Sequence, residues 1–196
     1  MLDWIISLDT KIFYFINSAR CNAADWFFAI LSAHFFIALV VAAFAFYLFF
    51  SCFKKRWWLL VIMIGLCFLL ADRISVMCFK DVVCRLRPSH ALESIHLCKF
   101  HNFQLITDNK GGLYGFVSSH AANICCATTF LLLFIKHKGL KITIVLWALL
   151  TCYSRIYCGY HYPLDVLCGA LLGVLIGLFL RFVFKKSRFR NLLSSQ

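Results

Sequence analysis

At 196 residues the chain is 63% hydrophobic and only 14% charged, against about 45–50% and about 25% in soluble domains. Several apolar runs exceed the roughly 18 residues that a bilayer span needs, which excludes an ordinary soluble domain and points to a single-domain, all-α integral membrane protein. The net charge of +12 would suit nucleic acid, but its distribution argues against that partner: eleven of the twenty basic residues lie in three clusters that each follow an apolar run, at 54–56, 136–141 and 181–190.

The first residues, Met1-Leu-Asp-Trp-Ile-Ile, carry no basic region and no small-residue cleavage site, so no cleavable signal peptide is expected. Residues 4–18 mix apolar and polar positions at helical spacing and are too short and polar to span. They read either as an amphipathic helix lying at the interface or as an N-terminal cap on the bundle. The first span is expected over 26–50 and the second over 57–79, opened by Trp57-Trp58 at the depth where such rings are enriched. Asp72-Arg73, inside the second span, is either a local ion pair or support for a site near Lys80, about two turns further along the same helix. Residues 80–113 form the longest polar segment, a loop with a short helix near 89–97. Cys84 and Cys98 share this loop and are candidates for a bridge. The eleven cysteines include no Cys-x2-Cys pair, so neither a zinc ribbon nor a dithiol redox motif is expected. Spans three, four and five are expected over 115–135, 141–157 and 163–184, with Pro163 in the first turn of the last helix, where a missing N–H costs nothing. Residues 1–25 then form an interfacial segment, 26–184 the bundle and 185–196 a basic tail. Lys and Arg accumulate on the cytoplasmic side, so the three basic clusters are expected there. The loop 80–113, the start of span three and the turn 155–165 then emerge on the opposite side.

Three charged blocks share that side: Lys80-Asp-Val-Val-Cys-Arg-Leu-Arg87-Pro88, Val117-Ser118-Ser119-His120, and Ser154-Arg155 followed by His161 and Asp165. Their chemistry suits a phosphate. Lys80, Arg87 and Arg155 are three cations, and arginine offers forked donors that match phosphate oxygens. Ser118 and Ser119 precede a helix, where hydroxyls and free N–H groups cradle anions. Asp165 can hold the Nδ1–H of His161 and leave Nε2 as a nucleophile, and His120 can protonate a leaving oxygen. Taken singly, a lysine or arginine at a span end is an interfacial anchor, and His34, His137, His90, His96 and His101 read as structural. A metal site built from the last three with Glu93 matches no standard ligand spacing. Those readings leave the joint pattern unexplained.

The blocks resemble the signature of the type 2 phosphatidic acid phosphatases, the PAP2 superfamily: Lys-x6-Arg-Pro, Pro-Ser-Gly-His and Ser-Arg-x5-His-x3-Asp. The first and third are complete. In the second, Val117 stands for proline and Ser119 for glycine. The resemblance covers 57–184 and implies a PAP2-like helical core of five spans. It implies that His161 forms a phosphohistidine, that Asp165 orients it, and that His120 acts first as acid and then as base. Lys80, Arg87, Ser118, Ser119 and Arg155 would hold the phosphate oxygens, with no metal or other cofactor. The implied protein is a bacterial inner-membrane phosphatase acting at the extracytoplasmic face on a lipid phosphate, with lipid A and undecaprenyl diphosphate first among the substrates. Phosphatidic acid and phosphatidylglycerol phosphate are the further ones. Its expected partners are that lipid and the phospholipid bilayer. The long loop, with Lys99 and Lys110, favours a bulky saccharide-lipid head. Two other classes compete. One is a catalytically impaired lipid-phosphate binder, motivated by the altered second block. The other is a channel or transporter lined by Asp72-Arg73, which lacks the repeated halves or broken span pairs of that class.

Overall fold

The computed structural model describes residues 2–48 and 57–186. The basic cluster at 54–56, the end of the expected first span and the tail with Arg188 and Arg190 lie outside the described residues. The protein is mostly helical. In chain order come α1 (Leu2–Ser18), α2 (Asn22–Leu31), α3 (His34–Leu48), α4 (Trp57–Ser75) and a π-helical turn (Val76–Lys80). Then follow α5 (Asp81–Val83), α6 (Pro88–Ala91), the strands β1 (Lys99–His101) and β2 (Gln104–Ile106), α7 (Ser119–Leu131), α8 (Lys138–Tyr157) and α9 (Pro163–Lys186).

Among the described residues, Val61–Val83, Lys138–Tyr157 and Pro163–Lys186 are long and apolar enough to cross a bilayer, and α2 with α3 makes a fourth crossing if the bent pair is one span. That pair is the expected first span, broken by 57°. Ser32 closes α2, its Oγ donating to the Ala29 carbonyl at 3.3 Å, and α3 starts afresh at His34. Both halves are apolar, so hydropathy runs straight through the break. The expected third span, 115–135, contains a helix of only 13 residues, about 20 Å at ~1.5 Å per residue. Ser118 caps it, its Oγ accepting the Ala121 N–H at 3.5 Å.

This short helix is nevertheless the centre of the bundle. Ala122, Cys126 and Phe130 pack with Ile64, Cys67 and Ala71 of α4 and with Ile176 and Leu180 of α9. On its other face, Ala121 and Ile124 pack with Ala148, Cys152 and Ile156 of α8 and Phe13 of α1. Helices α7 and α9 run side by side at backbone distance. Gly169, Gly173 and Gly177 face Ser118, Ala122 and Cys126 in turn, and a Cβ on Gly173 would stand 2.2 Å from the Ala122 carbonyl oxygen. Small residues at every fourth position permit such approach between membrane helices. The first turns of the two helices are thereby locked together, and the Ser118 N–H donates to the Asp165 carbonyl at 2.9 Å.

Helix α1 is tied to this end of the bundle. Asp9, Phe13 and Asn17 are buried, and the Asn17 Nδ2 donates to the carbonyls of His96 and Tyr157, each at 2.8 Å. The polar segment holds more order than its composition suggests. Beyond α6 comes an antiparallel hairpin pairing Lys99 with Ile106 and His101 with Gln104. Its two turn residues, Asn102 and Phe103, have φ of 48° and 58°, as a type I′ turn demands. Phenylalanine in that role hides the usual Asn-Gly signal. Cys84 and Cys98 are both free, the first exposed and the second buried, where it packs with Cys158. His90, His96, His101 and Glu93 do not converge: among the described residues no three His, Cys, Asp or Glu side chains could share an ion.

Candidate active site

The three blocks meet at one end of the bundle, each delivered by a helix terminus. In the first, the widened π-helical turn places Lys80 at its end, a device found often at functional sites. Its Nζ donates to Ser119 Oγ at 2.7 Å. Ser119 Oγ in turn lies 2.7 Å from Ser75 Oγ, which donates to the Asp72 carbonyl at 2.8 Å. Asp72 thus contributes its backbone. Asp72 and Arg73 are both exposed, and no ion pair joins the two. Seven residues after Lys80, the Arg87 Nε donates to the Tyr114 carbonyl at 3.1 Å. The backbone pairing of 85–87 with 113–115, through Arg87 N–H to Leu113 O and Gly115 N–H to Arg85 O, sets that side chain in place.

The third block comes from the turn between α8 and α9. Arg155 is buried, its guanidinium 4.8 Å over the Tyr160 ring, and its Nε has no hydrogen-bond partner. His161 is 1% exposed. Its Nδ1 is also without a hydrogen-bond partner and lies 3.7 Å from Asp165 Oδ2, beyond hydrogen-bond length. Asp165 itself is firmly held. Oδ1 accepts from Arg85 at 2.8 Å and Oδ2 accepts the Tyr162 N–H at 3.0 Å. The second arm of Arg85 reaches Asp9 at 2.6 Å, whose other oxygen accepts the Leu164 N–H at 2.9 Å.

His120, in the first turn of α7, faces His34 with the ring centroids 4.8 Å apart. His34, which the sequence reads as structural, therefore stands beside His120 at the candidate site. An ionisable group inside an apolar span is a functional-site signal in itself, and that signal was present in the sequence. Arg85 and Asp9 had no such sign, because a partner 76 residues away leaves no local pattern.

Two cavities adjoin these residues. A polar chamber of about 650 Å3 lies under the hairpin, lined by His34, Arg87, Lys99, His101, His120 and Arg155, and no carboxylate is among its described lining residues. An apolar cavity of about 870 Å3 runs between α3, α4 and α7, lined by residues such as Ile37, Val41, Val61, Ile64 and Phe68. His34 and His120 line both and so mark their junction. Lys80, Ser118, Ser119, His161 and Asp165 stand outside the chamber lining. His161 remains electrically coupled to it: burial first, then the charges of Arg87, Arg155 and Lys80, hold its imidazole well below the ordinary value. Burial and Arg155 likewise push Arg87 down, and burial raises the Tyr160 hydroxyl to about 12. Arg87, Arg155 and Lys99 thus line a chamber whose described lining holds no carboxylate, an arrangement that suits an anion.

Residues 73–189 match the PAP2 superfamily. The chain is 30% identical over 189 residues to the lipid A 4'-phosphatase of Porphyromonas gingivalis, covering 96% of this chain and 78% of that one. It is 30% identical over 173 residues to the lipid A 4'-phosphatase of Bacteroides thetaiotaomicron, covering 88% and 75%. Its fold is similar to the crystal structure of Aquifex aeolicus LpxE, with a TM-score of 0.62 and 27% identity over 88% of this chain and 94% of that one. The family match spans more than half the chain and takes in all three blocks, so the chain belongs to the PAP2 superfamily.

Proposed function

We propose that this membrane phosphatase removes a phosphate from a lipid A-type substrate, a phosphorylated glycolipid. The observation that carries the reading is the junction at His34 and His120, where a cationic chamber without carboxylates among its described lining meets an apolar cavity between membrane helices. A phosphorylated head enters the first and a hydrocarbon chain the second. The activities named for the two bacterial relatives supply the choice of lipid.

In the proposed reaction, His161 Nε2 attacks phosphorus. The negative charge of Asp165, 3.7 Å from Nδ1, stabilises the imidazolium that forms. Lys80, Arg87, Arg155 and the start of α7 at Ser118–Ser119 neutralise the oxygens, each key donor worth about 3–4 kcal/mol in the transition state. His120 protonates the departing sugar oxygen and then takes a proton from the water that cleaves the phosphohistidine. The chain crosses the bilayer five times, with α7 as the short, protein-enclosed crossing and α1 at the interface. The positive-inside rule puts the site on the extracytoplasmic face of a bacterial inner membrane.

Ser119 replaces the family's glycine, and its hydroxyl holds Lys80. Removing a charge-assisted bond costs about 1.5–3 kcal/mol. Ser119→Ala is expected to lower kcat/KM for phosphate release about tenfold, and an unchanged value would show that the lysine is positioned by other groups. The function itself is tested by phosphate release from purified protein given lipid A, undecaprenyl diphosphate or phosphatidic acid. Lipid A is expected to turn over at least about tenfold faster than either, a modest transition-state preference of about 1.4 kcal/mol. Release only from the other lipids would overturn the choice of substrate. Binding without any release would identify an impaired lipid-phosphate binder.

A further inference from the structure

The polar chamber is larger and more basic than the cleavage of one phosphate requires. Lys80, Arg87 and Arg155 already supply three cations to a single dianion. A phosphate occupies the space of a few waters, each about 30 Å3, within a chamber of about 650 Å3. The β1–β2 hairpin forms one part of the remaining wall and contributes Lys99 and His101. Side chains two apart on a strand share a face, so these two residues point the same way. Phe100, between them, has its ring centroid 6.2 Å from that of Trp26 and packs against the cluster of Ala29, Cys98, Tyr157 and Tyr160. The strand is therefore fixed to the bundle, and Lys99 is held on a rigid element.

Lys99 also lacks the usual reason for being where it is. It is half-buried, and among the described residues no carboxylate lies within ion-pair distance of it. It shares the wall of one chamber with Arg87 and Arg155, and a cleft lined by one sign of charge draws ligands of the opposite sign.

We infer that Lys99 and His101 form a second anion subsite, which holds a second phosphate of the same lipid head while the first occupies the Lys80–Arg87–Arg155 cradle. The subsite rests on the glycolipid reading above and sharpens it. The substrate class is a lipid whose head carries two phosphates separated by the width of a saccharide, and the uncleaved phosphate selects it. Lys99 and His101 act on binding and touch no reacting atom.

The test separates this subsite from the catalytic reading. Equilibrium binding is measured in nonionic detergent with His161→Ala protein, so that no turnover intervenes. One ligand is lipid A carrying two phosphates, the other is phosphatidic acid carrying one. Adding Lys99→Gln is expected to weaken lipid A binding about tenfold more than phosphatidic acid binding, the loss of one charge-assisted contact, and Lys99→Arg to restore most of it. Equal losses for both lipids would reduce Lys99 to a general electrostatic attractor and overturn the subsite. So would no loss for either, or a failure of lipid A to bind the parent protein. If the binding difference appears while wild-type protein releases phosphate from neither lipid, the subsite stands and the phosphatase reading falls.

Discussion

His161→Ala is expected to lower kcat for phosphate release by at least about four orders of magnitude, the scale seen when a covalent nucleophile is deleted. The site is arranged so that no neighbour can take over. His161 is almost wholly enclosed, and its imidazole is kept neutral first by burial and then by the surrounding cations, which leaves a lone pair free for attack. The other histidines at the site, His34 and His120, lie across the chamber junction, and among the described residues neither has a carboxylate partner to stabilise an imidazolium. Substrate binding should survive, because the proposed phosphate cradle of Lys80, Arg87 and Arg155 is left intact. A substrate labelled in its phosphate and quenched in alkali should leave label on wild-type protein and none on the variant. Full turnover by His161→Ala, or label retained on it, would remove the phosphohistidine from the mechanism.

The second large effect is expected at Arg85, which stands outside the chamber lining. One guanidinium bridges two buried carboxylates, Asp9 of α1 at 2.6 Å and Asp165 of α9 at 2.8 Å. Removing one partner of a buried ion pair costs about 3–5 kcal/mol because a charge is left unmatched. Arg85→Ala leaves two. The thermal midpoint in detergent is expected to drop by roughly 10 °C, at ~2–4 °C per kcal/mol for a chain of this size. Asp165 also loses the contact that aims it at His161, so kcat should fall about a hundredfold, the effect of misplacing a catalytic group by about 1 Å. KM should change little, since Arg85 lies behind the cradle. Adding Asp9→Asn should recover part of the stability by removing one unmatched charge, while the amide oxygen of the new side chain can still accept the Leu164 N–H. A thermal midpoint equal to wild type, or a rise in KM with kcat intact, would show that Arg85 belongs to phosphate binding rather than to positioning.

The residues of the three blocks were legible in the sequence because their spacing is local. Lys80 to Arg87, Ser118 to His120 and Arg155 to Asp165 each fall within a single helix end or turn, and cations, hydroxyls and imidazoles interrupting apolar runs stand out against their surroundings. The membrane class was legible for the same reason, since a bilayer demands long apolar segments. Hydropathy did not reveal the lengths of all the helices. The break at Ser32 lies between two equally apolar halves, and α7 ends at Leu131 inside a run that stays apolar to Ile135. The hairpin was hidden because Phe103, which nothing marks as a turn former, takes the positive φ.

Composition and spacing were enough to establish that the chain lives in a membrane, that three polar blocks interrupt its apolar runs, and which chemistry those blocks suit. What supports the blocks came from the packing of the helices. Gly173 against Ala122 sets α9 beside α7 at backbone distance, so that His120 and Asp165 start from the same level. Asp9 and Arg85 meet across 76 residues to hold that carboxylate still. The bend after Ser32 brings His34 to His120, and the folded hairpin carries Lys99 over the chamber. Each of these depends on contacts between residues far apart in the chain, and burial selects such contacts only when all the helices have packed.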